Sequence, residues 1–399
     1  MLRAAILALL LLAGPAAAAP HWVAAWGAPP DQAGKPLPPT TVRQAVRLSL
    51  GGPRVRLRLS NLYGAAPVTV GPVRIARPIG GSGVQAGSDR AVTFDGHATV
   101  TIPAGGSALS DPVAFPVAAL DDLTVSLHLP GGAATPTWHG EGGQTAYLTP
   151  GDTTASASLQ EPTTDTSRYF LTDVEIDAPA DARLLVAVGD SITDGVGATE
   201  NANARWPDVL AARLQADPRL AHIAVVNSGI AGNRLLNDAA DPFIGPSVLH
   251  RLDRDVLRKP GVRWVLVLAG GNDIAASGVL KDPRQQVSAE QIIAGYRELI
   301  ARAHARGVKV WAGTFTPRGP AAGVFALSPE NIARRDAVNA WIRTSGAFDA
   351  VVDFEAAVRD PANPSQLLAA YDSGDHVHPN DAGYRAMAAA MDLALFTRD

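Results

Sequence analysis

An unbroken apolar run, Leu184-Leu185-Val186-Ala187-Val188, stops abruptly at Gly189-Asp190-Ser191-Ile192-Thr193-Asp194-Gly195. Val- and Leu-rich runs without polar alternation suit a strand covered on both faces, the condition of a parallel sheet. Such a strand delivers a serine to the C-terminal edge of the sheet, where open α/β folds place ligands; the glycines around it allow a positive φ or a close backbone approach. The rhythm continues downstream. Strands are predicted at 184–188, 223–227, 264–268, 308–313 and 350–353, and helices at 207–215, 289–305, 329–344 and 380–395. In the second helical stretch Ile292, Ile293, Tyr296, Leu299, Ile300 and Ala303 share one face. Alternating strands and helices imply right-handed βαβ crossovers, hence a parallel sheet between helical layers. The expectation is a three-layer α/β fold with flavodoxin-like strand order and a switch point beside the first strand.

The first half reads differently. From His21 to about Ala180 the chain is rich in Gly, Pro, Thr and Val, and apolar residues recur at every second position, as in 42–50 and 55–59. Turn signals at Gly51-Gly52-Pro53, Gly80-Gly81 and Gly105-Gly106 separate many short strands, the pattern of an all-β sandwich or jelly roll. A length of 399 residues accommodates two such domains, expected at 20–180 and 181–399. Residues 1–19 have the parts of a secretory signal peptide: Arg3, the apolar run Ala4 to Ala13, and small residues at Ala16 to Ala19. That run is too short to span a bilayer, so the expectation is an exported protein with no stable membrane insertion after cleavage. A net charge of -4 without a basic cluster argues against a nucleic-acid partner. With no cysteine, disulfide frameworks and thiolate metal sites are excluded.

Four polar clusters adjoin the elements of the second half: Ser191 after the first strand; Asn227-Ser228-Gly229-Ile230-Ala231-Gly232-Asn233 after the second; Gly270-Gly271-Asn272-Asp273 after the third; and Asp375-His376-Val377-His378-Pro379 before the last helix. Because parallel strands end on one edge, clusters far apart in sequence can converge there. A serine ester hydrolase needs a base for the hydroxyl proton, a group that fixes the tautomer of the base, and donors aimed at the developing oxyanion. Ser191 can serve as nucleophile, His378 as base and then acid, and Asp375 as orienter. The backbone N–H groups of Ser191 and Gly232 and the side-chain amide of Asn272 can serve as donors. His376 competes with His378 for the base role, and the three-residue spacing from Asp375 favours His378.

These same blocks resemble the SGNH, or GDSL, hydrolases, the resemblance spanning roughly Leu184 to Leu395. It implies a Ser191–His378–Asp375 triad with oxyanion donors from Ser191, Gly232 and Asn272. Arg205-Trp206-Pro207-Asp208 and Gly232-Asn233-Arg234-Leu235-Leu236 are further similar to a bacterial arylesterase-like subgroup. Ile192-Thr193 departs from the family's usual leucine, and no G-x-S-x-G elbow surrounds the serine. The β-rich half lies outside the resemblance.

Other polar residues read as structural. Asp190 and Asp194 suit helix caps or loop ties, and Asp273 an anchor of its loop. Arg54, Arg56 and Arg58 suit a solvated strand face. The remaining histidines, His139 among them, are scattered without metal-ligand spacing, so neither a catalytic metal nor a cofactor is expected. The sequence thus points to an exported esterase cleaving short-chain esters such as aryl or sugar acetates through an acyl-serine, with a small-molecule or carbohydrate ester as substrate. Polysaccharide (for example xylan) deacetylation and acyl transfer to a sugar are alternatives; a carbohydrate-binding module with an inert hydrolase half is disfavoured by the complete residue set. Since an imidazole accepts a proton only when neutral, activity is expected to fall at acid pH.

Overall fold

The computed structural model describes residues 19–397, so the expected signal peptide lies outside the described residues except for Ala19. Residues 21–178 form antiparallel sheets. In one, His21–Gly27, Leu171–Ala178, Gly52–Ser60 and Ser107–Leu109 are neighbours in that order, and Val113–Val117 also pairs with Gly52–Ser60. A second, larger sheet runs Thr163–Asp165, Ala146–Pro150, Thr40–Arg47, Asp122–Leu129, Val73–Ala76, Arg90–Val92, and smaller sheets include Arg168–Tyr169, Thr137–His139 and Gln32–Ala33. Strand alternation makes the first sheet amphipathic: Val55, Leu57 and Leu59 are fully buried, while Arg54, Arg56 and Arg58 occupy the opposite face.

That arginine face is not the solvated one expected. The pairing register lays it against acidic residues of Leu171–Ala178, so Arg54 bonds Asp177 at 2.7 Å, Arg56 bonds Glu175 at 2.5 Å and Arg58 bonds Glu175 at 3.1 Å. Trp22 lies beneath, its ring centroid 4.2 Å from the Arg56 guanidinium carbon. The charges are thereby paired in a half-buried layer, with cation–π contact to the indole.

From Arg183 the sheet becomes parallel. Arg183–Gly189, Ile223–Gly229, Val262–Leu268, Lys309–Gly313 and Ala350–Val352, taken as first to fifth, lie in the order second, first, third, fourth, fifth. This is the flavodoxin-like order, and the first strand is covered on both faces: Leu184 through Val188 are completely buried. Helix Trp206–Gln215 packs with Asp381–Ala389, and a second group comprises Gly271–Val279, Ala289–His304 and Pro329–Thr344. Together with the sheet these make the three layers. The helix Gly271–Val279 was not foreseen, because its two glycines lower helix propensity and its small side chains leave no broad apolar stripe; it places Asn272 and Asp273 in a helical first turn rather than a loop.

The two halves share one buried apolar cluster, which runs from Val55 and Leu127 through Val186 and Val226. Polar ties cross the same junction: Ala24 N–H donates to Pro260 O (3.0 Å), Val225 N–H to Ser49 Oγ (3.0 Å), and buried Lys259 pairs with Asp173. Among the described residues no helix is long and apolar enough to cross a membrane.

Candidate active site

The chain leaves the first parallel strand through a tight turn. A Cβ at Gly189 would lie 2.3 Å from Thr193 Oγ1 and 2.4 Å from Leu268 O, so only glycine allows this approach. Asp190 then caps a short helix, Ser191–Asp194, its Oδ1 accepting from Ile192 N–H at 3.1 Å. Ser191 is therefore the first helical residue, whose N–H has no intrahelical partner.

The base arrives from the loop before helix Asp381–Ala389. His378 Nε2 lies 2.8 Å from Ser191 Oγ, and Nδ1 lies 2.5 Å from Asp375 Oδ2. Asp375 Oδ1 in turn accepts from the N–H groups of Val377 (2.9 Å) and His378 (2.8 Å), so carboxylate and ring are fixed by one turn. Partial burial opposes the Asp375 charge. The hydrogen bonds and charge of His378 outweigh it and hold the carboxyl well below its usual range. His376, the competing histidine, takes a left-handed backbone (φ 63) and pairs its Nδ1 with Asp372 at 2.5 Å instead.

The other two expected contributors stand on a turn and on a helix start that are bonded to this centre. Gly232 lies in the turn Ile230–Asn233 with φ 71, a conformation that favours glycine. Its neighbour Ala231 donates its N–H to Asp194 Oδ2 at 2.8 Å, tying the turn to the serine's helix. Asn272 Nδ2 donates to Asn233 O at 3.0 Å, and Asn272 Oδ1 accepts from Arg318 at 3.4 Å. Among the described residues neither the Ser191 nor the Gly232 N–H has a hydrogen-bond acceptor within the protein. Asp273 anchors the loop that follows the glycine turn by accepting from Leu235 N–H (2.6 Å) and Leu236 N–H (3.0 Å); burial raises its pKa to about 6 despite these bonds.

Four supporting residues escaped sequence reasoning. Buried Arg251 donates to Gly189 O (3.1 Å), Ser228 O (2.8 Å) and Asn233 Oδ1 (3.1 Å), joining the ends of two strands and the glycine turn. Asn227 Nδ2 donates to Thr193 O at 2.7 Å. Arg318, also buried, holds the Asn272 amide. His139, from the antiparallel half, reaches Asp194 Oδ1 at 3.1 Å. Each acts on a partner remote in sequence, and only the position of Asn227 at a strand end carried any signal. A cavity of about 20 Å³, lined by Asp190, Ile192, Ile274, Phe315 and Leu327, adjoins the nucleophile's helix. Among the described residues no group of three or more His, Cys, Asp or Glu side chains could hold a metal ion.

About half of the chain is similar to each of several solved structures. A lipolytic protein of the G-D-S-L family from Desulfitobacterium hafniense DCB-2 is 21% identical over 52% of this chain and 96% of its own (TM-score 0.37). The acetylxylan esterase Axe2 from Geobacillus stearothermophilus is 24% identical over 52% and 91% (TM-score 0.39). The aryl esterase of M. smegmatis is 18% identical over 52% and 96% (TM-score 0.40). No curated protein matches the chain. The profile of the GDSL-like lipase/acylhydrolase family matches residues 187–386, half of the chain, and the protein belongs to that family.

Proposed function

We propose that the protein is a serine esterase that hydrolyses short-chain carboxylic esters, such as aryl or sugar acetates, through an acyl-serine intermediate. The observation that carries this reading is the continuous hydrogen-bonded line from Ser191 Oγ through His378 to Asp375. As Ser191 Oγ attacks the ester carbonyl, its proton passes to His378 Nε2, and Asp375 stabilises the imidazolium through Nδ1–H. The carbonyl oxygen gains the negative charge, which the N–H groups of Ser191 and Gly232 and the Asn272 amide are available to stabilise. Collapse breaks the bond to the alcohol, which leaves with the proton from His378. Water then repeats the sequence on the acyl-serine and releases the acid.

We further propose export, on the strength of the signal-like residues 1–19. A panel of aryl esters of increasing acyl length, together with acetylated xylan, tests the reading on wild type and on Ser191→Ala. Acetate esters are expected to turn over fastest, and Ser191→Ala is expected to lose about 10⁴-fold or more in kcat with its circular dichroism unchanged. A folded Ser191→Ala with wild-type turnover would falsify the proposal. Product analysis with a sugar acceptor present separates hydrolysis from acyl transfer.

A further inference from the structure

The antiparallel half reaches the helix of the nucleophile through His139. His139, at the end of strand Thr137–His139, is buried at 4% exposure and uses both ring nitrogens: Nδ1 lies 2.9 Å from Pro29 O, and Nε2 lies 3.1 Å from Asp194 Oδ1. A carbonyl and a carboxylate are both acceptors, so both nitrogens must carry hydrogen, and the ring is an imidazolium. Asp31, whose Oδ2 is 3.6 Å from Nδ1, adds a second carboxylate and also holds the loop by accepting from Gly140 N–H at 2.7 Å.

Asp194 stands at the corner of this arrangement. One carboxylate oxygen receives His139, the other receives Ala231 N–H beside Gly232, and its backbone closes the helix that begins at Ser191. The next loop is held in the same way. Asn201 N–H donates to Gly143 O (3.0 Å), and Thr145 N–H donates to Asn201 Oδ1 (2.8 Å). On its other side Tyr384 Oη–H donates to Val196 O (2.6 Å) and Thr199 N–H to Asp381 Oδ1 (2.8 Å), in the helix that follows His378.

We propose that His139 is a positioning residue of the reaction, supplied by the antiparallel half to hold Asp194 and, through it, both the Ser191 helix and the Ala231–Gly232 turn. The proposal rests on the esterase reading above. Without the imidazolium, the buried Asp194 carboxylate loses its hydrogen-bonded cation and must draw in water or a proton, which loosens its bond to Ala231. A shift of the Gly232 N–H relative to Ser191 Oγ acts on the transition state more than on substrate binding, so it falls on kcat.

The test uses the full chain, with an aryl acetate as substrate. His139→Ala is expected to lower kcat about ten- to a hundredfold while KM stays within about threefold. His139→Gln, whose amide can replace the Nε2 donor without the charge, is expected to recover part of that loss. If His139→Ala fails to fold, the cycle of His139→Leu, Asp194→Asn and the double variant decides: partners acting through one bond give a double variant barely worse than the worse single one. Wild-type kcat in a folded His139→Ala, a loss confined to KM, or full additivity in the cycle overturns the positioning role while leaving the esterase reading standing. A wild-type protein inert toward every ester overturns that reading instead.

Discussion

At the scale of the residue, proton chemistry here depends on side chains whose charge is set by burial and pairing. Burial opposes the charge on His139, but the Asp194 carboxylate, then Asp31 and the Pro29 carbonyl, outweigh it and raise its pKa from 6.5 to about 9. The charged groups facing it are Asp31, Asp194 and Glu141, with Arg168 opposite on the neighbouring strand; Arg205 and Arg251 act on Asp194. Because the folded value lies above the unfolded one, the pair's contribution to stability is complete below about pH 6.5 and declines as pH rises through about 9. Urea midpoints measured from pH 6 to 10 are therefore expected to fall more steeply for wild type than for His139→Gln. Parallel curves would show that the pair contributes no proton-linked stability. Of the site residues, Ser191, Asp375 and His378 were legible because each sits in a short local pattern: an apolar run that stops, and a carboxylate three residues before an imidazole. His139, Arg251 and Arg318 were not, since a single cation in a sequence does not disclose the acceptor it will meet 46 to 62 positions away.

At the scale of the element, the turn after the first parallel strand sets where the nucleophile stands. Gly189→Ala places a methyl group against the Leu268 carbonyl and the Thr193 side chain, neither of which has room to yield without moving the strand end or the helix. Overpacking of this kind costs about 1–3 kcal/mol. A lower urea midpoint together with a fall in kcat is the expected result; an unchanged kcat would mean that the serine's position does not depend on this contact. Most elements of the parallel sheet were readable because burial on both faces leaves continuous apolar runs. The helix Gly271–Val279 was not, since Gly271 and Gly278 lower its propensity and small Ala275, Ala276 and Ser277 leave it without a broad apolar stripe, so packing rather than local pattern marks it as helical. The arginine strand erred the other way. Alternation correctly separated its two faces, but alternation cannot tell a face turned to water from one turned to a neighbouring row of carboxylates.

At the scale of the whole molecule, the halves are bound by a continuous apolar core and by polar ties that include a buried ion pair. An interface of that kind favours joint unfolding over independent domain motion. Scanning calorimetry of residues 20–399 is expected to give one transition, with the antiparallel and parallel halves melting together. Two separated transitions would show that each half is stable alone. The sequence by itself determined the local matters: which runs are buried on both faces, where they stop, and which residue types stand at the stops. Backbone and side-chain chemistry act over a few positions, and those positions are adjacent in the chain. Only the tertiary structure decided which loops meet at the sheet edge, that His139 of the first half holds the helix of Ser191, and that the Arg54, Arg56 and Arg58 face is paired. These depend on contacts between segments brought together by burial, and a linear pattern records that a side chain must be buried without recording against what.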